Sequence, residues 1–484
     1  MRELALKGLK WSFLQQFLSQ VVNYTSVLYL AAKVIPELHG LITIASIPGG
    51  FIGILGTLGI QEKITKEKVL SKEDQAGYFA FILVAAFLIF VFTLLVSAVV
   101  SLVYASQFEF KLLLKTSVIL SLIPSFALLN NYFQALQYRQ LEFKVPSLIG
   151  IWSIFIGSTV AIFLAYLGHG YLALIIKLTG PHICILCAWI YFSRRNLKFA
   201  WKPSLYKEFK NFSTFYTFNS MANYFVRNSD YIIIGKFFPP KILGQYSIAY
   251  KILLFPMKNI TSNIQGVMLP VLSTLNFESN RFKERFFLVV SFISFIVFPI
   301  MTLISVSANE WVRLAFNPSY TSIKEMIVIL SIVGAFQAVT SPVGVLYILK
   351  EKTKAMFINS LIIAIIIIIS FLISAKYFSI NYVVLTYAIV WLLFVMPLTV
   401  SVAYKIFNFN FLDFLKSVYP STVSTILATI SYFTIKYFSI KSPVESLLVG
   451  VLAFGAVYLF CYHLVSRQTN NSIAYFLQFL KKKK

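Results

Sequence analysis

Four basic residues lie inside long apolar stretches of this sequence: Lys177, Arg227, Lys251 and Lys258. A cation at the centre of a membrane-spanning helix costs about 2.5 to 3.5 kcal/mol on insertion scales, so such residues normally face water or a partner. The only carboxylate well inside such a stretch is Asp230. If Asp230 neutralises one cation, three remain, and an uncompensated cationic interior favours binding of an anion.

The spacing of these charges predicts how helices would present them. Arg227 and Asp230 are three residues apart, so one interpretation is a neutralised ion pair that holds two helices together. Lys251 and Lys258 are seven residues apart and share one helix face, and the neighbouring sequence offers them no acid. For Lys177 the alternative is a side chain that snorkels to the membrane surface.

Polar residues form stripes along two of the apolar stretches. The stripes are Ser12, Gln16, Ser19, Asn23 and Ser26 in the first stretch, and Ser213, Tyr216, Ser220, Asn223, Arg227 and Asp230 in the seventh. Their spacings of three and four residues place each set on one helix face. Lipid does not suit such faces, so they meet either another helix, in bonds of about 0.6 kcal/mol each, or a hydrated cargo.

An amide cluster in the fourth stretch suits either a hydroxyl-rich ligand or helix packing. It consists of Asn130, Asn131, Gln134 and Gln137. Tyrosines of the seventh and eighth stretches, Tyr224 and Tyr246 among them, have the chemistry to stack on sugar rings, although interfacial belts and core packing explain most aromatic residues. The predicted substrate-binding residues are Arg227, Lys251, Lys258, Lys177, Asp230, Gln16, Asn23, Asn223, Asn131 and Gln134.

The elements that must position these residues are membrane-spanning helices. The chain has 484 residues, of which 58% are hydrophobic and only 12% charged, which excludes both an ordinary soluble domain and a disordered chain. A span needs about 20 mostly apolar residues. Fourteen windows qualify: 11–32, 38–60, 77–104, 113–136, 145–167, 170–193, 213–236, 242–272, 286–308, 322–348, 355–375, 380–404, 415–435 and 442–465. The eighth window contains Pro256, which predicts a kink.

The net charge of +25 is explained mainly by topology. Alternate loops and the two termini together carry 28 of the 42 lysines and arginines, the opposite loops carry ten, and four lie inside spans. The positive-inside rule then places both termini in the cytoplasm, and nucleic acid is not needed as a partner. We therefore expect a multi-pass membrane protein with both termini in the cytoplasm.

A short internal repeat indicates two related halves. Residues 36–45 and 240–249 match at an offset of 204 residues, with proline, glycine, isoleucine and alanine identical at four of ten positions. Six spans separate the copies, so both have the same membrane orientation, as in parallel transporter repeats. The predicted fold is all-α, with six-helix bundles over 1–212 and 213–408, followed by two accessory helices and a basic tail over 409–484.

Signals for enzymatic chemistry are weak. The sequence contains no phosphate-binding loop motif, so we do not expect ATP hydrolysis. Cys184 and Cys187 form an isolated pair without a second set of ligands, which argues against a metal site. The longest loop on the predicted outer side, about 309–321, offers only Glu310 and Arg313 as charged groups. We expect no catalytic residues, no cofactor and no metal.

Several motifs resemble the polysaccharide transporter branch, the Wzx-type O-antigen and capsule flippases, of the multidrug/oligosaccharidyl-lipid/polysaccharide (MOP) exporter superfamily. The most specific of these segments is Asn228–Lys251; the others are Gly8–Ser12, Pro36–Gly40, Leu58–Gln61, Ala135–Lys144 and Leu269–Pro270. The resemblance covers about residues 1 to 300. The arginine that the family usually has before the first outer turn is Ala32 here, with Lys33 beside it.

The resemblance implies a flippase that moves an undecaprenyl-pyrophosphate-linked oligosaccharide between membrane leaflets for surface polysaccharide synthesis. Arg227, Lys251 and Lys258 would hold the anions of the head group, and the polar stripes would solvate the glycan. Its partners would be this lipid-linked substrate, membrane lipids and other polysaccharide assembly proteins. The alternatives are a multidrug (MATE-like) exporter of the same superfamily, which would favour acids in its cavity, and a non-enzymatic scaffold.

Overall fold

The computed structural model describes residues 2–57, 64–65, 70–193, 199–200, 224–225, 227–439 and 443–468. Throughout these ranges the regular structure is helical. Ten of the described helices are long and apolar enough to cross a membrane, which confirms an all-α, multi-pass membrane protein. The exact count of fourteen spans stays a prediction, because helices over the first, eighth and thirteenth windows fall outside those ten and part of the seventh window lies outside the described ranges.

The chain divides into two compact units, Met1–Ser247 and Ile248–Lys484. The first unit contains eight labelled helices and the start of the ninth: α1 Arg2–Lys33, α2 Pro36–Thr57, α3 Lys72–Val103, α4 Phe110–Leu120, α5 Leu122–Arg139, α6 Lys144–Tyr166, α7 Gly170–Ser193, α8 over 227–237, and α9 Pro240–Pro256. Helices α6 and α7 pack closely, and α1 lies on α6. The predicted boundaries at 212 and 408 stay predictions.

The second unit continues from α9 through a π-helical turn, Met257–Thr261. Its helices are α10 Ser262–Ser273, α11 Asn280–Val306, α12 Ala308–Ala315, α13 Ile323–Thr340, α14 Val343–Leu349, α15 Thr353–Tyr377, α16 Ile380–Val390, α17 Met396–Lys405, α18 Phe411–Ser439 and α19 Pro443–Gln468. A second π-helical turn, Trp391–Val395, joins α16 to α17. The core of this unit forms around α11, which packs against α13 and α18.

At Pro256, where the sequence favours a tilt or a kink, the structure has the first of these π-helical turns. Proline has no N–H to donate and its ring crowds the carbonyl four residues earlier, which disturbs the hydrogen bonds of a helix interior. Here α9 ends at Pro256, and five residues with wider π-helical bonding follow before α10 restores the α-helical pattern. Such turns often occur at functional positions. Lys258 lies inside this one.

The two C-terminal helices, which the sequence analysis treated as accessory, are fixed to the second unit by polar contacts. Ser421 on α18 and Ser294 on α11 share a hydrogen bond of 2.9 Å. The hydroxyl of Tyr458 on α19 donates to the carbonyl of Phe295 at 2.8 Å. Between these contacts, aromatic side chains of α18 and α19 form a buried cluster with α11. Helices α18 and α19 are therefore built into this unit.

Ion pairs hold both ends of α18. At one end Lys283 contacts Asp413 at 2.7 Å. Burial alone would raise the pKa of the Asp413 carboxyl, but its hydrogen bonds from Lys283 and from the Asn410 amide hold the pKa below its usual value. At the other end Lys436 pairs with Glu310 of α12, whose side chain is only 5% exposed. Each ion pair joins two segments that the predicted topology places on the same side of the membrane. Lys283 and Asp413 lie on one predicted side, and Glu310 and Lys436 lie on the other.

We expect Lys436→Met to destabilise the protein by about 2 kcal/mol, because the buried carboxylate of Glu310 would lose its cation. We place the value below the usual range for buried pairs because Lys436 itself is 34% exposed. Thermal unfolding of the purified protein in detergent measures the change. Lys376→Met, at an exposed helix end, is the matched control. Equal melting temperatures for the two variants would contradict the prediction, and adding Glu310→Gln should restore part of the loss.

Candidate functional site

Helix α9 changes from buried to solvent-accessible at its first intramembrane cation. Every residue from Leu243 to Ala249 is buried. Lys251 is then exposed, and so is Lys258 in the π-helical turn that follows α9. In a membrane protein, an exposed lysine within a span faces water because lipid does not tolerate it. A hydrated face therefore begins at Lys251.

Helix α8 shows the same change at its own cation. Its residues Ile233, Ile234 and Gly235 are buried, and so are Ser229 and Asp230. One turn further from the Pro240 turn, the guanidinium of Arg227 is exposed. In both helices the buried residues lie near the Pro240 turn that connects α8 to α9. The exposed cation of each helix follows at the far end of its buried segment.

The buried ends of α2 and α9 cross at the two glycines of the internal repeat. A Cβ atom added to Gly40 would collide with the carbonyl of Pro240, and one added to Gly244 would collide with the carbonyl of Pro36. Both prolines begin their helices after the same irregular two-residue turn. The repeat detected in the sequence is therefore a structural repeat whose copies contact each other reciprocally, and only glycine permits this approach.

Polar contacts fix α8 beside this crossing. The hydroxyl of Tyr104 donates to the carbonyl of Ile232 at 2.8 Å, and Lys236 donates to the carbonyl of Val103 at 2.9 Å, at the C-terminal end of α3. A cation is favourable there because the helix dipole is negative at that end. In the described pair of residues 224–225, the hydroxyl of Tyr224 donates to the carbonyl of Ile47 on α2 at 3.0 Å. The repeat end of the first unit is thus closely packed.

Asp230 has no cation as its partner. Its carboxylate accepts a hydrogen bond of 2.9 Å from the hydroxyl of Tyr246 and one of 2.8 Å from the backbone N–H of Tyr231. Arg227 is exposed whereas Asp230 is 5% exposed, and no ion pair joins them among the described residues. The neutralised pair considered from their spacing is therefore not formed. Arg227 keeps its charge for other partners.

Tyr246 has a structural position that its sequence context did not predict. The sequence analysis considered this tyrosine for stacking on sugar rings, but its side chain is fully buried and bonded to Asp230. The partner of Asp230 comes from the next helix, across the Pro240 turn, so a spacing rule for one helix could not find it. Its position two residues after Gly244, inside the repeat, was the only sequence signal.

We expect Asp230→Asn to impair assembly or transport. An amide has one acceptor oxygen, so the hydrogen bonds from Tyr246 and Tyr231 would compete for it, at a cost of about 1 to 3 kcal/mol for the donor left unsatisfied. Unfolding in detergent and vesicle transport would be measured together. Glu109→Gln, the same change at an exposed carboxylate, is the control. Normal stability with normal transport in Asp230→Asn would contradict the prediction.

The remaining predicted binding residues occupy varied positions. Lys177 donates to Ser158 on the neighbouring α6 at 2.9 Å, so it contributes to a contact between α6 and α7. Gln16 is exposed, whereas Asn23, Asn131 and Gln134 are partly buried. Asn223 lies outside the described residues. A shared cavity for all ten predicted residues stays a prediction.

The two cations have apolar neighbours in common. Leu254 and Phe255 lie one turn after Lys251 and one turn before Lys258. Beyond Lys258 lie Ser262 and Asn263, both exposed. No described acid lies within ion-pair distance of Lys251. Within the described ranges, no group of three or more histidine, cysteine or acidic side chains is placed to hold a metal ion.

Comparison with known proteins identifies a family model and several relatives that this chain resembles. A family model described as "Polysaccharide biosynthesis protein" matches residues 29–325. The chain is 24% identical over 360 residues to an uncharacterized membrane protein in the cps region of Klebsiella pneumoniae, with 72% of each chain covered. It is 21% identical over 359 residues to the lipopolysaccharide biosynthesis protein WzxC of Escherichia coli K12, with 74% of this chain and 72% of WzxC covered.

Two solved structures have the same fold. The lipid II flippase MurJ in an inward closed conformation matches with a TM-score of 0.72 at 18% identity, covering 95% of this chain and 99% of MurJ. The MATE multidrug transporter DinF-BH matches with a TM-score of 0.56 at 17% identity, covering 85% and 97% of the two chains. The expected exporter fold is confirmed.

Proposed function

The chain belongs to the polysaccharide biosynthesis protein family, and from this membership we propose that it is a flippase of the MOP exporter superfamily for a lipid-linked oligosaccharide. The cargo would be an undecaprenyl-pyrophosphate-linked glycan used for O-antigen, capsule or exopolysaccharide synthesis. The flippase would act in the bacterial cytoplasmic membrane, with both termini in the cytoplasm. Other polysaccharide assembly proteins would supply the cargo and receive it.

The observation that carries this proposal is the exposure of cations within two of the predicted spans. Arg227 and Lys251 are accessible to water, and neither is paired with an acid of the described chain. Such charges are costly unless the protein uses them. A pyrophosphate is an anion that fixed guanidinium and ammonium groups bind well, through short charge-assisted hydrogen bonds. We therefore assign the pyrophosphate to these cations.

The packed repeat end supports transport by alternating access. At the Gly40 and Gly244 crossing α2 and α9 pack closely, and the exposed cations Arg227 and Lys251 follow the buried segments of α8 and α9. For cargo to leave on the other side of the membrane, this packing would have to separate. Movement of pseudo-symmetric repeats against each other is a common way for transporters to do so.

A multidrug exporter is the competing function, because the DinF-BH structure shares the fold. The accessible charges favour an anion, whereas a pump for cationic drugs would favour carboxylates in the same place. Among the described residues, the buried carboxylate nearest to these cations along the chain is Asp230, and it is bonded to Tyr246. We therefore favour the lipid-linked glycan.

Reconstituted vesicles separate the two functions. The purified full chain would be placed in proteoliposomes that contain a fluorescent undecaprenyl-pyrophosphate oligosaccharide, and a membrane-impermeant quencher would report its appearance in the opposite leaflet. Parallel vesicles would be loaded with a cationic dye. We expect flipping of the lipid without dye transport. Dye transport without lipid flipping would overturn the proposal in favour of a multidrug exporter.

A further inference from the structure

The exposed surface from the end of α9 through α10 is polar along its whole length. This segment covers most of the predicted eighth span, where lipid contact would call for exposed apolar side chains. Its apolar residues whose side chains are described are instead buried or partly buried. The exposed residues are hydrophilic or glycine: Lys251, Lys258, Ser262, Asn263, Gly266, Ser273 and Thr274.

Helix α19 of the same unit shows the opposite pattern. Its exposed residues between Leu448 and Phe460 are all apolar: Leu448, Val449, Leu452, Ala456, Leu459 and Phe460. Hydrocarbon cannot form hydrogen bonds with polar groups, so a helix that faces lipid exposes apolar side chains, as α19 does. Polar residues within a span face water or a partner. The contrast between the two helices therefore indicates a hydrated surface over α10.

Ser262 and Asn263 bring hydrogen-bonding groups to this hydrated surface. The hydroxyl of Ser262 donates to the carbonyl of Lys258 at 2.7 Å, and the side-chain amide of Asn263 donates to the carbonyl of Asn259 at 2.9 Å. These bonds use the one donor of the serine and one of the two N–H groups of the amide. The serine oxygen, the amide oxygen and the second amide N–H have further capacity to accept or donate. Sugar hydroxyls both donate and accept, so they suit this combination.

Gly266 leaves space beside these two side chains. It lies four residues after Ser262 and three after Asn263, which places all three on one side of α10. A Cβ atom added to Gly266 would meet no atom within 4 Å. The described part of the protein therefore leaves a notch over the helix backbone. A sugar ring lying in this notch would have its hydroxyls next to Ser262 and Asn263. We call these three residues the α10 face.

A second helix holds the α10 face in position. The side-chain amide of Gln265 donates to the hydroxyl of Ser341 at 2.9 Å, at the point where the chain passes from α13 to α14. The Ser341 hydroxyl in turn donates to the carbonyl of Ala338 at 2.9 Å. Gln265 precedes Gly266 directly, so these bonds fix the helix beside the notch. A surface held in this way loses little conformational freedom when a ligand binds.

We propose that the α10 face is a subsite for one sugar ring of the cargo, with Ser262 and Asn263 binding its hydroxyls and Gly266 providing the space for the ring. This inference rests on the proposed flippase function and deepens it. The stripes predicted to solvate the glycan belong to the first and seventh apolar stretches. The α10 face adds a glycan-binding surface within the second unit.

The experiment compares two lipids that differ only in the glycan. One is a fluorescent undecaprenyl pyrophosphate with a neutral trisaccharide, and the other is the same fluorescent undecaprenyl pyrophosphate without sugar. Binding of both lipids and flipping of the trisaccharide lipid would be measured with the full chain in proteoliposomes. The readout for binding is the ratio of the two affinities, trisaccharide lipid to sugar-free lipid.

Two variants alter the α10 face in different ways. Gly266→Leu fills the notch, and the open space above the glycine means that the fold should tolerate leucine. Ser262→Ala combined with Asn263→Ala removes the hydrogen-bonding groups and leaves the notch open. Gly455→Leu on α19 is the matched control, because a Cβ atom at Gly455 also meets no atom within 4 Å while the exposed residues around it are apolar. Thermal unfolding in detergent checks that each variant is folded.

We expect the wild type to bind the trisaccharide lipid about tenfold more tightly than the sugar-free lipid, as two net hydrogen bonds would allow. The double alanine variant should bring this ratio to about one. Gly266→Leu should bring the ratio below one and stop flipping of the trisaccharide lipid, because leucine occupies the space of the ring. Gly455→Leu should keep the wild-type ratio and the wild-type rate of flipping.

Two kinds of result would overturn the inference. If Gly266→Leu and the double alanine variant keep the wild-type ratio, or weaken both lipids equally, the α10 face does not bind the glycan, and the flippase function stands. If the wild type does not flip the trisaccharide lipid, the proposed function fails and this inference fails with it. One set of measurements thus distinguishes the two failures.

Discussion

Flipping should be abolished when Arg227→Gln and Lys251→Met are combined in one protein. Each side chain is exposed at the point where its helix leaves the packed repeat end, and neither has an acidic partner among the described residues. Removing both therefore creates no unpaired buried carboxylate, and the fold should tolerate the change. The cargo loses two charge-assisted contacts of about 1.5 to 3 kcal/mol each, which corresponds to a loss of more than about a hundredfold in affinity.

The measurement is flipping in proteoliposomes, together with surface polysaccharide in cells at matched protein levels. The matched control is Arg313→Gln with Lys324→Met, which removes one arginine and one lysine at exposed positions at the edges of helices. We expect the control to flip lipid at the wild-type rate. Unchanged export by the Arg227 and Lys251 variant would show that these cations do not hold the cargo.

The second large effect is expected at the glycine crossing. In Gly244→Ala the new methyl group would collide with the carbonyl of Pro36, and in Gly40→Ala with that of Pro240. Because the obstacle is backbone, a rotamer change cannot relieve the collision, and α2 and α9 must separate. We expect each variant to lose about 3 kcal/mol of stability, at the upper end for overpacking, and to lose transport.

Gly266→Ala provides the matched control for this prediction. A methyl group at Gly266 meets no atom within 4 Å, so the substitution should stabilise α10 by about 0.5 to 1 kcal/mol through reduced backbone entropy. Replacing glycine by alanine is thus expected to lower the stability of the protein at Gly244 and to raise it at Gly266. Melting temperatures in detergent test the signs directly. Equal effects at Gly244 and Gly266 would mean that the crossing is not tightly packed in solution.

The features that could be predicted from the sequence depend on local rules. Long apolar windows predicted the helices, because crossing a membrane imposes a minimum length. The repeat was detectable because a proline that starts a helix and a glycine at a helix crossing leave identical residues in both copies. The break after Pro256 followed from the loss of one N–H. Each of these features depends on a few neighbouring residues.

The features that were missed depend on contacts between helices. The spacing of Arg227 and Asp230 suggested a pair, but Tyr246 binds the carboxylate from another helix. Likewise, nothing near Glu310 in the sequence points to Lys436, which lies more than a hundred residues later. The amino-acid sequence places polar groups on faces, but tertiary packing decides which groups meet.

The reciprocal contact of Gly40 and Gly244 has the geometry of an isologous dimer interface, in which each partner presents the same patch to the other. The two copies of this proline and glycine motif therefore contact each other as the same patch on two identical subunits would, with a covalent linkage in place of free association. Fusion frees the copies to diverge in chemistry while the backbone stays symmetric. At the offset of 204, Arg227 and Lys251 correspond to Asn23 and Ile47, so the positive charge was placed in one copy only. In a homodimer of identical chains, both subunits would carry this positive charge.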